Sequence, residues 1–404
     1  MVVQKHYVFE PSFERRIYKM QGVEQAHLNA VFTAILKAYY DFRSSTVKEA
    51  LRPITRYGKK DTRGFDSGPE ITICEMLRLY DEGAVVITEE TGITGNRFDD
   101  FSRPSHPHTF RTVYIADPTD RSNQLKIFLS QFSEGRKIRD ILHEPTSIKI
   151  WEEKFGGPAC ITGAASAVSC VRRGLPIFSV LVNYITQQLV VSCSIGNWTV
   201  KLPDKMPKRF DIDSVRAQGE RIFFPGIDGN PKGMKKFVTF LGDVGKIGYR
   251  ENFLDSNLMS MEDMKRFLHY GVPGGPLRAL YLSSLQPKRH PVGFVLANGE
   301  KIGEWIHWLA FARFAKSQTD ESQPALSVYE VYQDRPWTKE GVLMSTPPIY
   351  SIFQKYGGNM YIDTGNLLKM PNPSQMRGTL IITPSDNRWA IRYGSQSGYR
   401  QIKF

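Results

Sequence analysis

The sequence predicts an α/β fold in which helices pack on a β-sheet whose strand ends carry acidic residues. Three observations predict this class: an early helical stripe of apolar residues, two short β-branched runs that each end in carboxylates, and a longer alternating segment typical of antiparallel strands. The chain has 404 residues. A chain of this size can form one large α/β unit or two packed subdomains, and both arrangements stay open at this point.

The first two predicted elements are helices. Apolar residues recur at three- and four-residue spacing from Gln25 to Arg43, which indicates a helix with one buried face. A polar stretch from Arg56 to Gly68 follows, and a second helical pattern then runs through Ile71, Met76 and Leu79.

Two short strands are predicted to present carboxylates where they end. Ala84 to Thr88 is an apolar run rich in β-branched residues, and it is followed directly by Glu89 and Glu90. Thr112 to Ala116 is a similar run, and it is followed by the sequence DPTDRS at Asp117 to Ser122.

The later part of the chain is predicted to be rich in sheet. Ala165 to Val200 alternates as antiparallel strands joined by turns. Helices are expected over Met261 to Tyr270, over Leu277 to Leu285, and from Gly303 to Phe311. The tail from Tyr356 to Phe404 contains short β-like runs among Gly, Pro, Asn and Ser.

This pattern divides the chain into three predicted parts. Residues 1–164 form an N-terminal α/β subdomain that carries the acidic strand ends. Residues 165–355 form a second α/β subdomain with substrate-binding loops, and residues 356–404 form a C-terminal extension. The formal net charge of +12 favours anionic partners. The basic residues are dispersed along the chain rather than grouped in runs, which makes nucleic acid an unlikely partner.

Composition and the N-terminal sequence indicate a cytoplasmic protein. No apolar run is long enough for a transmembrane helix, and the first fifteen residues lack the pattern of a signal peptide. We therefore expect no membrane partner. The four cysteines lie apart at positions without metal-ligand spacing, and buried, reduced thiols are expected.

Carboxylates at separate strand ends suit the chemistry of phosphate ester hydrolysis. That reaction needs divalent metal ions to neutralise the phosphate and to generate a hydroxide nucleophile. Mg²⁺ prefers oxygen ligands, which Glu89, Asp117 and Asp120 can supply. Backbone N–H groups at a helix start after Asp120 would face the phosphate.

The order of these pieces resembles the inositol monophosphatase and fructose-1,6-bisphosphatase superfamily. Its signature is Glu-Glu followed by Asp-Pro-(Ile/Leu)-Asp-Gly-(Thr/Ser). Glu89-Glu90 and the DPTDRS segment match it except that Thr119 stands where the family has Ile or Leu and Arg121 where it has Gly. The resemblance spans most of the chain. It implies a layered α-β-α-β-α sandwich of that type with a C-terminal β-rich extension, and a phosphatase that uses two or three Mg²⁺ ions.

The resemblance also implies roles for individual residues at the metal site. Glu89 matches the glutamate of the first metal, and Glu90 is a ligand for another ion. Asp117 matches the bridging aspartate and Asp120 the ligand of the second metal. The carbonyl of Thr119 matches the family's backbone ligand.

Further roles follow for the catalytic and substrate-binding groups. Ser122 matches the residue that polarises the attacking water, so that Glu89, Asp120 and Ser122 form the expected catalytic set. Glu304, in place of the usual Trp-Asp pair, is the expected last metal ligand. Arg121, Ser122 and Arg278 are the expected contacts to substrate.

The function implied by the resemblance is Mg²⁺-dependent hydrolysis of a small phosphorylated metabolite. An inositol phosphate, a sugar phosphate and a nucleotide 3′-phosphate are all open as substrates, and inhibition by Li⁺ is expected from the same kinship. Because Arg121 replaces the family's Gly, a catalytically silent binding or scaffold protein is the alternative. A homodimer is also left open.

Overall fold

The structure, a computed structural model, describes residues 21–55, 62–81, 84–88, 90–94, 112–155, 159–222, 239–242, 295–315, 326–331, 353–356, 359–369, 377–384 and 399–402. For most of the C-terminal elements, the structure describes the backbone and not the side chains. Within the described residues, no helix is both long and apolar enough to cross a membrane.

Eight of the described strands form one sheet, which is mixed because a single pair runs parallel. Its order is β2-β1-β3-β4-β5-β6-β7-β8, and β1 and β3 form the parallel pair. The strands are β1 Val85–Thr88, β2 Gly92–Thr94, β3 Thr112–Asp120, β4 Ala165–Arg172, β5 Leu175–Asn183, β6 Gln188–Cys193, β7 Gly196–Lys201 and β8 Glu220–Arg221.

A second sheet comes from the later part of the chain and has the order β15-β11-β14-β10-β9. A separate hairpin, β12-β13, lies outside it. The bounds are β9 Thr239–Gly242, β10 Val295–Lys301, β11 Leu326–Val331, β12 Phe353–Tyr356, β13 Asn359–Ile362, β14 Arg377–Pro384 and β15 Tyr399–Ile402. The predicted β-rich tail is confirmed, and its strand β14 lies in the middle of this sheet between β10 and β11.

The described helices vary from one turn to more than six. They are α1 Gln21–Ser44, α2 Val47–Leu51, α3 Gly64–Tyr80, α4 Ser122–Leu129, α5 Ile138–His143, α6 Pro145–Phe155, α7 Ala159–Thr162, α8 Ile212–Gln218, α9 Ile302–Ala315 and α10 Thr364–Lys369. The long helices α1 and α3 pack against each other and against the first sheet.

Opposite faces of the first sheet are covered by different helices. Neighbouring residues of a strand point to opposite faces. On β4, Cys170 belongs to the apolar core shared with α1. Its neighbour Ser169 contacts His307 of α9. Helix α9 also packs against strands of the second sheet, so the described elements form four layers in the order helix, sheet, helix, sheet.

The predicted α/β class is therefore confirmed. The described elements form four of the five layers of the expected α-β-α-β-α sandwich. The helix predicted over Gln25 to Arg43 and that through Ile71 are α1 and α3, and the helix predicted from Gly303 to Phe311 is α9. All four cysteines are free. The helices expected over 261–270 and 277–285 lie outside the described residues.

The three-part division of the chain stays a prediction. Strands from both sides of the boundary at 164 and 165 share the first sheet, since β3 pairs with β4. Strands from both sides of the boundary at 355 and 356 share the second sheet, since β11 pairs with β14.

Helix α9 is rich in apolar residues, as expected of a helix packed between two sheets. His307 is a buried polar residue of this helix, and its Nδ1 lies 2.8 Å from the hydroxyl of Ser169 and also contacts the hydroxyl of Ser179. Burial lowers the pKa of His307 from 6.5 to about 3, so the imidazole is neutral in the folded protein.

This depressed pKa predicts a loss of stability in acid. Between pH 6.5 and about 3, the unfolded chain binds a proton at His307 that the folded chain does not. The free energy of unfolding should therefore fall with decreasing pH, by at most about 1.4 kcal/mol per pH unit for this group.

The variant His307→Gln keeps a polar side chain that can bond the serines but does not titrate. We expect its melting temperature to fall less than that of the wild type between pH 7 and pH 4.5, as measured by thermal denaturation. Carboxylates titrate in both proteins, so the difference between the two slopes reports His307. Equal slopes would contradict the prediction.

Candidate active site

Two acidic segments leave the first sheet at the same edge. Strands β1 and β3 run parallel, and Thr88, the last residue of β1, lies opposite Ala116. The turn that carries Glu90 therefore begins beside Asp117, as expected for the carboxyl ends of neighbouring parallel strands. Glu89, the expected ligand of the first metal, lies outside the described residues.

A β-bulge shapes the DPTD segment. Asp117 pairs with Ala167 and Asp120 with Ala165, so Pro118 and Thr119 on β3 stand opposite a single residue of β4. Pro118 and Thr119 are buried, whereas Asp117 and Asp120 are partly exposed. The bulge thus turns two carboxylates toward the accessible side of the sheet edge.

Hydroxyl groups from the sheet interior hold the carbonyl of Pro118. The residue opposite the bulge, Ser166, bonds this carbonyl oxygen through its hydroxyl. Tyr184 donates its phenolic hydroxyl to the same oxygen at 3.1 Å and also contacts the hydroxyl of Ser166. The backbone of the bulge is therefore fixed from below by two side chains.

Thr119 anchors the same segment to helix α3. Its hydroxyl donates to the carbonyl of Phe65 at 2.8 Å. That carbonyl is available because Pro69, four residues further along the helix, has no N–H to donate to it. With the Thr119 side chain directed into the protein, the residue's backbone carbonyl is the group left to serve as the predicted metal ligand.

Tyr184 is fully buried and lies close to acidic groups. Its ring stacks on Tyr39 and Phe42 of α1. Burial raises the pKa of Tyr184, and the nearby carboxylates of Asp66 and Asp117 raise it further. The hydroxyl therefore stays protonated and acts as a neutral hydrogen-bond donor beneath the acidic segment.

Helix α4 starts immediately after the DPTD segment, with Arg121 as its N-cap. Arg121 adopts the left-handed conformation, with φ of 63° and ψ of 37°, in which glycine is favoured. Its amide donates to Asp120 Oδ1 at 2.8 Å. Arg121 stands where the signature described above has Gly, and its backbone adopts a conformation that a glycine would adopt freely. Ser122 follows as the first helical residue.

The side chain of Arg121 is buried, with 7% of its surface exposed. Its guanidinium donates from Nη1 to the carbonyl of Thr162 at 3.1 Å. The indole of Trp151 donates to the same carbonyl at 3.2 Å. The guanidinium thus donates to a backbone carbonyl inside the protein. The expected contact between Arg121 and substrate stays a prediction.

Glu90 is held by a residue that precedes helix α3. The hydroxyl of Thr62 donates to Glu90 Oε2 at 2.8 Å, and Thr62 itself is buried. The loop before α3 and the turn after β1 are thereby joined across 28 positions of sequence.

Two further carboxylates of helix α3 lie buried near this edge and were not singled out from the sequence. Asp66 accepts from the amide of Arg63 at 2.9 Å and lies close to Tyr184. Glu70 accepts from the amide of Thr91 at 2.8 Å. The signal was available, because positions 66, 70, 73 and 77 fall on one helical stripe and the last two are core Ile73 and Leu77.

Two other predicted site residues cannot be placed against this edge. Glu304 lies in the first turn of α9, but its side chain is outside the description, and Arg278 lies wholly outside it. Among the described side chains no group of three His, Cys, Asp or Glu forms a cluster that could hold a metal ion. The roles assigned to these residues, and to Glu89, stay predictions.

The described donors fit Mg²⁺ by their chemistry. Partly exposed carboxylates of Asp117 and Asp120 are hard oxygen ligands, and so is the backbone carbonyl of Thr119. A further observation is that Oε2 of Glu70 is buried without a hydrogen-bond partner. A cation bound beside these carboxylates would offset their negative charge.

No protein-family model and no curated protein matches the chain. Among solved structures, the chain is similar to CysQ from Bacteroides thetaiotaomicron, described as a bacterial member of the inositol monophosphatase family. The two are 13% identical, with 89% of this chain and 97% of CysQ aligned at a TM-score of 0.43.

Two other solved structures show a similar degree of likeness. The inositol monophosphatase from Anabaena is 12% identical, with 94% of this chain and 97% of its own chain aligned at a TM-score of 0.41. The extragenic suppressor protein suhB from Bartonella henselae is 12% identical, with coverage of 92% and 99% and a TM-score of 0.41. Because these TM-scores lie below 0.5, the proposals that follow depend on this chain's own residues.

The hydrogen bond from Tyr184 to Pro118 predicts that removing the Tyr184 hydroxyl loosens the bulge. A matched pair of variants distinguishes this local effect from a general loss of stability. Tyr184→Phe removes one donor to Pro118 and keeps the ring stacked on α1. Tyr40→Phe removes a hydroxyl that donates to another proline carbonyl, that of Pro203 at 2.6 Å, away from the acidic edge.

We expect each variant to lose about 1 kcal/mol of unfolding free energy, measured by denaturant titration. Only Tyr184→Phe should speed hydrogen exchange of the amides in residues 117–125, measured by mass spectrometry of the corresponding peptide. Equal protection of that peptide in both variants would show that the Tyr184 bond does not fix the bulge.

Proposed function

We propose that the protein is a Mg²⁺-dependent phosphomonoesterase. The observation that carries the proposal is the bulged DPTD segment, whose two partly exposed carboxylates lie beside the end of a parallel strand and directly before the first turn of α4. Anionic ligands are favoured at a helix start, and cations are favoured among carboxylates. One site thus suits both a metal ion and a phosphate.

In this proposal the acidic residues hold the cations. Asp117, Asp120, the carbonyl of Thr119, Glu89 with its neighbour Glu90, and Glu304 are the proposed ligands. When bound there, Mg²⁺ would neutralise phosphate charge and lower the pKa of a coordinated water. Ser122 orients that water through its hydroxyl.

The start of α4 is proposed to bind the phosphoryl group. N–H groups in the first turn of a helix have no intrahelical acceptor and can donate to phosphate oxygens. The left-handed conformation of Arg121 aims the chain into this turn. Because the Arg121 guanidinium donates to Thr162, its backbone rather than its charge is the group that we expect to serve the site.

The proposed substrate is a small phosphorylated metabolite. An inositol phosphate, a sugar phosphate and a nucleotide 3′-phosphate all present a phosphomonoester to such a site. The net charge of +12 supports an anionic substrate without choosing among these. Inhibition by Li⁺ and a cytoplasmic location belong to the same proposal.

The direct test is release of phosphate from a panel of phosphorylated metabolites, with and without Mg²⁺. We expect turnover that needs Mg²⁺, and a loss of about 100-fold or more in kcat/KM for Asp117→Asn, because the amide removes a metal ligand's charge. Asp213→Asn, an exposed aspartate on α8, is the control and should retain full activity. Metal-independent turnover, or full activity of Asp117→Asn, would exclude the proposed site.

Arg121→Gly separates an active enzyme from a silent binding protein. The glycine relieves the left-handed conformation, worth about 1 kcal/mol, but loses the buried bond to Thr162. Removing the buried side chain also leaves a cavity, so a net loss of stability is expected, with kcat/KM of the folded variant within about fivefold of the wild type, a difference of about 1 kcal/mol. A gain of several orders of magnitude from an inert wild type would favour the scaffold alternative, in which Arg121 blocks the site.

A further inference from the structure

Helix α3 places a buried carboxylate beside the turn that carries Glu90. Glu70 is 1% exposed and occupies the stripe of α3 that otherwise carries core residues such as Ile73 and Leu77. A buried carboxylate is costly unless it is hydrogen-bonded or lies near a positive charge. Its contacts therefore indicate what it does there.

One carboxylate oxygen of Glu70 binds both ends of the turn. Oε1 accepts from the amide of Thr91 at 2.8 Å and from the hydroxyl of Thr88, the last residue of β1. The turn is short, because Thr88 pairs directly with Gly92, where φ is +78°. Glu70 thus holds the three-residue connection that contains Glu90.

The other oxygen serves no described partner. Oε2 of Glu70 is buried and has no hydrogen-bond partner among the described residues. A glutamine would supply the same acceptor to Thr91 and Thr88 without a negative charge. The bonds of Oε1 therefore do not account for the charge of Glu70, and a cation at the turn would.

We infer that Glu70 is a positioning residue for cation binding at the turn after β1. It fixes the turn through Oε1, and its negative charge favours a divalent cation among the neighbouring carboxylates. This inference rests on the proposed function and adds to it a residue outside the expected ligand set.

The test is calorimetric titration with Mg²⁺ in the absence of substrate, with thermal denaturation of the same samples. Glu70→Gln keeps the acceptor and removes the charge. We expect its Mg²⁺ dissociation constant to rise about tenfold, as for other residues that support metal ligands, while its melting temperature is unchanged or higher. Glu75→Gln makes the same change at an exposed position of α3 and should bind Mg²⁺ within about twofold of the wild type.

Glu70→Leu tests the contact of Oε1 separately. It leaves the Thr91 amide with only its longer contact to the hydroxyl of Thr88, at 3.2 Å, so we expect faster hydrogen exchange at Thr91 and weaker Mg²⁺ binding than in Glu70→Gln. A dissociation constant for Glu70→Gln equal to that of the wild type, with a lower melting temperature, would show a merely structural role and overturn the inference. A wild type that binds no Mg²⁺ would overturn the proposed function as well.

Discussion

The acidic edge of the first sheet depends on hydroxyl groups that hold the backbone of one bulge. Pro118 accepts from Ser166 and Tyr184, and Thr119 donates to Phe65. All of these groups are neutral. Neutral donors can hold the backbone of an acidic segment without adding positive charge to it, as lysine or arginine would. The rest of the site follows from this arrangement.

Helix α3 also holds the acidic strand ends in place, and its Pro69 contributes to this. Pro69 leaves the carbonyl of Phe65 without its usual helical partner, and Thr119 supplies the missing donor. The same helix contributes Asp66 near Tyr184 and Glu70 beneath the turn after β1. One helix thus contacts both strand ends that carry the acidic segments.

Much of the local structure was predictable because periodicity reports burial directly. Spacing predicts the stripes of α1 and α3 and the antiparallel strands from Ala165 onward, and β-branched, apolar composition predicts the runs that form β1 and β3. The tail strand β14 was also recognised, but its position inside the second sheet was not, since strand order depends on long-range pairing.

The site was less predictable than the elements. Asp66 and Glu70 share a helical stripe with Ile73 and Leu77, but carboxylates near a helix start are usually solvated, so the stripe alone does not show that these two are buried. The direction of the Arg121 side chain was equally hidden, because it depends on the carbonyl of Thr162, 41 residues away. Ser166 and Tyr184 carry no sequence signal of their role, since hydroxyls in strands and turns are common.

Strand β14 has a consequence for how the protein can be shortened. It lies between β10 and β11 and bonds to both, so deleting residues 377–384 would expose unpaired N–H and C=O groups on two strands at once. Such edges invite pairing between separate molecules. Trimming the tail as if it were an appendage would therefore yield an aggregating product rather than a smaller domain, and expression designs should retain the chain through β15.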